Sequence, residues 1–136
     1  MTVLGGPGPR TAKAEQMNAL TPAPSAPPAP PMRIDVAAPA PSSVVVTVSG
    51  DVDSSTAPGL RGCLTEALSR PGVVDVVVDL RGVTFLDSAG LCALAVAHRE
   101  ALRAGRVVLL RVGTTRAVVL PLRMTGLWDV LARTAD

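Results

Sequence analysis

The chain has 136 residues, 48% hydrophobic and 18% charged, with a formal net charge of +2, enough apolar material for one packed domain with an appendage. Residues 33–136 hold eleven Arg against ten Asp and Glu, a net of +1, so the concentrated basic face of a nucleic-acid binder is absent. Phe85 and Trp128 are the two aromatic residues, which excludes a base-stacking platform.

Cys63 and Cys92 are too few and too far apart for a disulfide framework or a zinc site, and read as two free thiols in a reducing compartment. No run approaches the roughly 18 apolar residues that span a membrane. The stretch 2–10 is broken by Gly and Pro and lacks the compact apolar segment of a signal peptide. A cytoplasmic protein with no direct membrane insertion is expected.

Ten of the thirteen prolines fall in residues 1–41, and 21–31 is nearly all Pro, Ala and Ser. A disordered tail over 1–32 and one domain over 33–136 are predicted. Residues 33–36 form a possible short edge strand, limited by Pro39 and Pro41, which cannot donate to a ladder. The run 44–49 is a better strand, closed by the turn chemistry of Gly50-Asp51-Val52-Asp53. Ser54, Ser55 or Thr56 then supplies an N-cap, with Pro58 early in a helix.

Leu60, Cys63, Leu64, Ala67 and Leu68 stripe that helix at offsets of three and four, and Arg70-Pro71-Gly72 ends it. The β-branched run 73–80 reads as a strand buried on both faces. A turn follows, and then Leu86-Asp87-Ser88-Ala89-Gly90-Leu91 opens a helix over 88–104 with Gly105 at its left-handed end. Residues 106–112 are the next strand and Gly113-Thr114-Thr115 the next cap. Over 116–131 a short or kinked helix is expected, because Pro121 costs a helix interior about 3 kcal/mol; after Gly126, residues 127–131 fit strand or helix equally. The order β-β-α-β-α-β-α predicts a single α/β domain, a mostly parallel four- to five-stranded sheet layered with helices and joined by right-handed crossovers.

One hydroxyl, that of Ser88, stands where a strand hands over to a helix. Taken alone, Asp87 or Ser88 reads as a helix cap worth about 1 kcal/mol, although Gly90 and Leu91 three residues on make no capping box. A helix start also tolerates a phosphate, since up to four N–H groups lack partners there and the dipole is positive. Asp51, Asp53, Ser54 and Ser55 form a second candidate surface, because a loop after a neighbouring strand in such a sheet can lie on the same rim as Ser88. Asp79, on the strand face of Asp75 and Val77, reads as structural. His98, the sole histidine, falls on the Leu91, Leu94, Ala101 and Leu102 side of its helix as a packing residue. No second His and no activated nucleophile accompany it, so no catalytic set and no enzyme is expected. Gly113-Thr114-Thr115-Arg116 lacks the loop and Lys of a phosphate-binding P-loop, so no cofactor is assigned.

Four segments in order resemble the STAS domain of bacterial anti-sigma factor antagonists. Gly50-Asp51-Val52-Asp53 with Thr56-Ala57 is similar to the family's Gly-Glu-Leu-Asp and Thr-Ala stretch. Val78-Asp79-Leu80 and Phe85-Leu86-Asp87-Ser88-Ala89-Gly90-Leu91 are similar to its strand and Asp-Ser-Ser-Gly-Leu helix start. Met124-Thr125-Gly126-Leu127 is similar to its C-terminal Thr/Ser-Gly-Leu. The resemblance spans 34–131. It implies a protein that binds a kinase-type anti-sigma factor and so frees a sigma factor. Phosphorylation of Ser88 by that serine kinase would end binding, and a serine phosphatase would restore it. The partner-binding surface it implies holds Asp53, Ser54, Ser55, Asp87, Ser88, Ala89, Gly90 and Leu91. The alternative is a STAS subunit acting as a structural coupler in a membrane transport complex, which the Asp87-Ser88 pair disfavours. Ala89 stands in place of the family's second serine, leaving Ser88 as the acceptor; Cys92 replaces a small Gly, and Pro121 interrupts a helix the family keeps regular.

Overall fold

The computed structural model describes residues 32–131. The tail expected over 1–32 lies outside the described residues, apart from Met32, which opens the first strand. The elements are β1 (Met32–Ala40), β2 (Ser43–Val52), α1 (Ala57–Leu68), β3 (Asp75–Leu86), α2 (Ser88–Arg103), β4 (Val107–Arg111), α3 (Arg116–Thr125) and a 3-10 turn at Leu127–Asp129. The four strands lie side by side in chain order, β1 antiparallel to β2 and the β2–β3 and β3–β4 pairs parallel. Parallel neighbours need long crossovers, and α1 and α2 supply them. The expected mostly parallel α/β sheet is therefore present, with four strands.

Alternation along the strands builds the core. Val44, Val46 and Val48 of β2, Val76, Val78 and Leu80 of β3, and Val108 and Leu110 of β4 are buried. The register sets Val44 beside Val76 and Val76 beside Val108, then Val46 beside Val78 and Val78 beside Leu110, so these side chains line one face in rows. They form one cluster with Leu60 and Leu64 of α1, Leu91, Leu94 and Ala97 of α2, and Leu122 of α3. Full burial of each Val or Leu among them contributes about 1.5–3 kcal/mol. On the opposite face of β3, Val77 and Asp79 are buried too, as the continuous apolar run predicts.

Several expectations need correction. The edge strand is nine residues long; Pro39 fits because pairing skips from Ala37 to Ala40, and a missing N–H is harmless there. The turns expected at 50–53 and after Leu80 do not close the strands, since β2 runs on to Val52 and β3 to Leu86. Between Thr47 and Ser49, and again between Gly50 and Asp51, β3 carries one more residue than β2. The glycines that read as turns are in the bulged stretch instead: Gly50 has a φ of 89°, and a Cβ on Gly82 would sit 3.0 Å from that of Ser49. On α2 the buried line is Leu91, Leu94, Ala97 and Ala101, whereas Leu102 is exposed and His98 half-buried. The last helix stops at Thr125 with Pro121 inside it, and Gly105, at φ 71°, takes the left-handed place expected of it.

Polar ties fasten the layers. Arg106 Nη1 donates to the carbonyl of Leu68, an orphan acceptor at the end of α1, and, at 3.0 Å, to that of Arg70 in the turn that follows, which also accepts from the Val73 N–H. Asp79, the buried acid, accepts from Arg81 Nε at 3.1 Å and Nη2 at 2.9 Å, and Arg111 Nη1 lies 3.7 Å away. The Arg81 side chain, foremost, holds its carboxyl below the usual carboxylate range against the opposing effect of burial. The structural reading of Asp79 fits this geometry.

Candidate functional site

The site grows from two parallel strands that end together. Val52 of β2 is level with Leu86 of β3, and the Asp87 N–H donates to the Val52 carbonyl at 3.1 Å. From this edge the chain leaves β2 through loop 53–56 into α1, and leaves β3 directly into α2. Two helix starts thus share one rim, so the structure brings together the two segments singled out in the sequence.

At the start of α2 the roles of Asp87 and Ser88 separate. Asp87 is the extended N-cap, and its Oδ1 accepts from the N–H of Ala89 at 2.9 Å and of Gly90 at 3.2 Å. Ser88 is the first helical residue and is exposed, and its hydroxyl makes no hydrogen bond among the described residues. Capping is therefore complete without the serine. Two of the N–H groups that would receive a phosphate on Ser88 are already taken by a carboxylate, so that phosphate would stand against like charge. Ala89 is half-buried, while Gly90 and Leu91 are buried beneath the helix start. Gly90 is there because a Cβ would come within 2.4 Å of Leu86 Cδ1 and 2.8 Å of Val52 Cγ1. Gly90 and Leu91 seat the helix; Ser88 presents its surface.

The neighbouring loop is ordered by its own side chains. Asp53 Oδ1 accepts from Ser55 N at 2.9 Å, Ser55 Oγ at 2.7 Å and Thr56 N at 3.2 Å. Thr56 Oγ1 accepts from Asp53 N at 2.9 Å and donates to the Asp51 carbonyl at 2.9 Å. The Ser55 hydroxyl, followed by the Ser55 N–H, holds the Asp53 carboxyl below its usual range. Thr56 takes the cap position of α1, but its side chain makes no cap bond, so the turn is fastened by Asp53 instead. Thr84 Oγ1 donates to Asp51 Oδ1 at 2.7 Å and ties the loop's base to β3.

Between the two helix starts lies a cleft of about 250 Å³ lined by Ser54, Ala57, Pro58, Arg61, Ala89 and Cys92. Arg61 escaped the sequence reading, and Cys92 entered it as a replacement for a small Gly, not as the wall of a cleft. Each stands one helical turn beyond a rim residue, Ala57 or Ser88, but only the tertiary structure shows that the two turns face one cleft. Phe85, 49% exposed just before the motif, adds an aromatic surface to this end of β3. Among the described residues no group of three His, Cys, Asp or Glu could hold a metal ion. No helix among them is long and apolar enough to cross a membrane.

These elements define a small α/β domain with a mostly parallel four-stranded sheet, two of whose helix starts share one rim. The family model described as the STAS domain matches residues 35–136, and the chain belongs to that family. Its structure is similar to that of an anti-sigma factor antagonist from Mycobacterium paratuberculosis, with a TM-score of 0.64 and 28% identity over 77% of this chain and 86% of that one. It shares its fold with the anti-sigma factor antagonist SpoIIAA in its unphosphorylated form, with a TM-score of 0.60, 14% identity, and 76% and 89% of the two chains covered. For the Bacillus cell fate determinant SpoIIAA in the phosphorylated form the values are 0.56, 18%, 76% and 93%.

Proposed function

We propose that this protein is an anti-sigma factor antagonist of the bacterial cytoplasm, a binding protein and not an enzyme. It captures a kinase-type anti-sigma factor through the rim of Asp53, Ser54, Ser55, Asp87, Ser88 and Ala89. Phosphorylation of Ser88 by that partner ends the complex, and a serine phosphatase restores it. The observation that carries the reading is the division of labour at the start of α2, where Asp87 does the capping and leaves an exposed hydroxyl with no structural task. Support comes also from the similarity to the mycobacterial antagonist and from the shared fold of SpoIIAA, a protein with a phosphorylated and an unphosphorylated form.

Phosphorylation adds a charge of about −1.5 to −2. Placed beside Asp87, whose carboxylate holds the nearest helix N–H groups, the new anion gains little from its own chain. A partner surface fitted to a small hydroxyl then meets bulk and unpaired charge, and a loss of about 3 kcal/mol lowers affinity roughly a hundredfold.

The test is affinity capture from the source cytosol with wild type, Ser88→Ala and Ser88→Asp, followed by addition of ATP and Mg²⁺ to the captured complex. Wild type is expected to be released and to carry phosphate on Ser88. Ser88→Ala should stay bound through the ATP step, and Ser88→Asp should not capture the partner. Phosphorylation and normal release of Ser88→Ala would refute the assignment, and capture of permease subunits by all three forms would point to a transport coupler.

A further inference from the structure

A second cleft, lined by none of the rim residues, opens where β4 hands over to α3. It encloses about 400 Å³ between Thr114, Arg116, Val119, Leu120, Arg123 and Trp128, a size in the range of small-molecule sites. Arg116, Val119, Leu120 and Arg123 follow one another at offsets of three, one and three, so they share one face of α3. That face has a charge at each end and an apolar strip between, with Leu120 about half exposed. The Arg123 guanidinium lies over the Trp128 ring at 4.5 Å from its centroid. Among the described residues no acidic side chain lines the cleft, so its two positive charges call for a negative ligand.

Thr115 reinforces that polarity. It stands at the cap position of α3 but makes no side-chain cap bond; its hydroxyl is turned to the Arg81 carbonyl, to which it donates at 3.1 Å. The positive end of α3 therefore opens beside Arg116 without a side-chain acceptor among the described residues.

We propose that this cleft binds a small organic anion. The acidic group, a carboxylate, sulfonate or phosphate, pairs with Arg116 at the start of α3, and an apolar body lies along Val119, Leu120 and Trp128. A guanidinium supplies the fork of donors such a group needs. Stacking on Trp128 restrains Arg123 while leaving its N–H edge able to donate.

Trp128 is the single tryptophan of the chain, so its emission reports directly on the cleft. The full chain is titrated with phenyl phosphate at constant ionic strength, with calorimetry in parallel. Saturable binding with a Kd of about 1 mM or tighter is expected for a probe of this size. Benzyl alcohol, without the anion, and inorganic phosphate, without the apolar body, should each bind at least about tenfold more weakly. Arg116→Ala and Leu120→Asp, both at exposed positions, should each weaken phenyl phosphate by about tenfold or more with an unchanged circular dichroism spectrum. Ser88→Ala should bind it as wild type does, which separates this site from the rim. The proposal is overturned if phenyl phosphate fails to saturate by about 10 mM, if inorganic phosphate binds equally well, or if both variants bind like wild type.

Discussion

Gly90 and Gly62 offer a paired test of why the start of α2 is built as it is. Both lie inside helices, and both would be changed to Ala, which improves helix propensity by about 0.5–1 kcal/mol. At Gly62 the new methyl meets nothing within 4 Å, so Gly62→Ala should stabilise by that amount. At Gly90 it would lie 2.4 Å from Leu86 Cδ1 and 2.8 Å from Val52 Cγ1. Leu86 is a flexible side chain, but it and Val52 are both buried, and the β-branched Val52 has little rotamer freedom. Overpacking of this kind costs about 1–3 kcal/mol. With the middle of each range, a cost of about 2 less a gain of about 0.75, Gly90→Ala should lose about 1.3 kcal/mol, a fall in Tm of about 5–10 °C for a domain of this size. Calorimetry and urea unfolding of both variants provide the measurement. If Gly90→Ala matched or exceeded wild type, or if the two variants moved Tm in the same direction, the close seating of α2 on Val52 and Leu86 would be refuted.

Asp79→Asn should cost about 1–3 kcal/mol near neutral pH, because the charge-assisted bonds from Arg81 disappear. The Asp79 carboxyl is held below its ordinary value in the fold, so its contribution is complete above the unfolded pKa of about 3.9 and fades as pH falls through the lower folded value. The gap between wild type and Asp79→Asn in unfolding experiments should therefore narrow below about pH 4, and a constant gap down to about pH 2 would contradict the ion-pair account. Arg106→Ala should lose about 1–2 kcal/mol in urea unfolding, because the Leu68 carbonyl loses the guanidinium donor and the Arg70 carbonyl keeps only the Val73 N–H. An unchanged midpoint would show that water replaces the guanidinium at no cost.

Local chemistry was enough to place the strands of Val46 and Val78, the helix stripe of Leu60 and Leu64, the left-handed Gly105 and the handover at Ser88. Each follows from periodicity or from a backbone conformation within a few residues. The same local view misjudged Gly50 and Gly82, because whether a glycine turns the chain or bulges a strand depends on the neighbouring strand's hydrogen bonds. It also left Asp87 and Ser88 as equal candidates for the cap, a choice decided by which side chain reaches the N–H groups of Ala89 and Gly90. The shared rim of loop 53–56 and Ser88 was anticipated from the order of the strands, but only the packed sheet brought Arg61 and Cys92 to one cleft between the two helix starts. Those residues lie some thirty positions apart in the chain, and parallel pairing, which one stretch of sequence cannot encode alone, is what makes them neighbours.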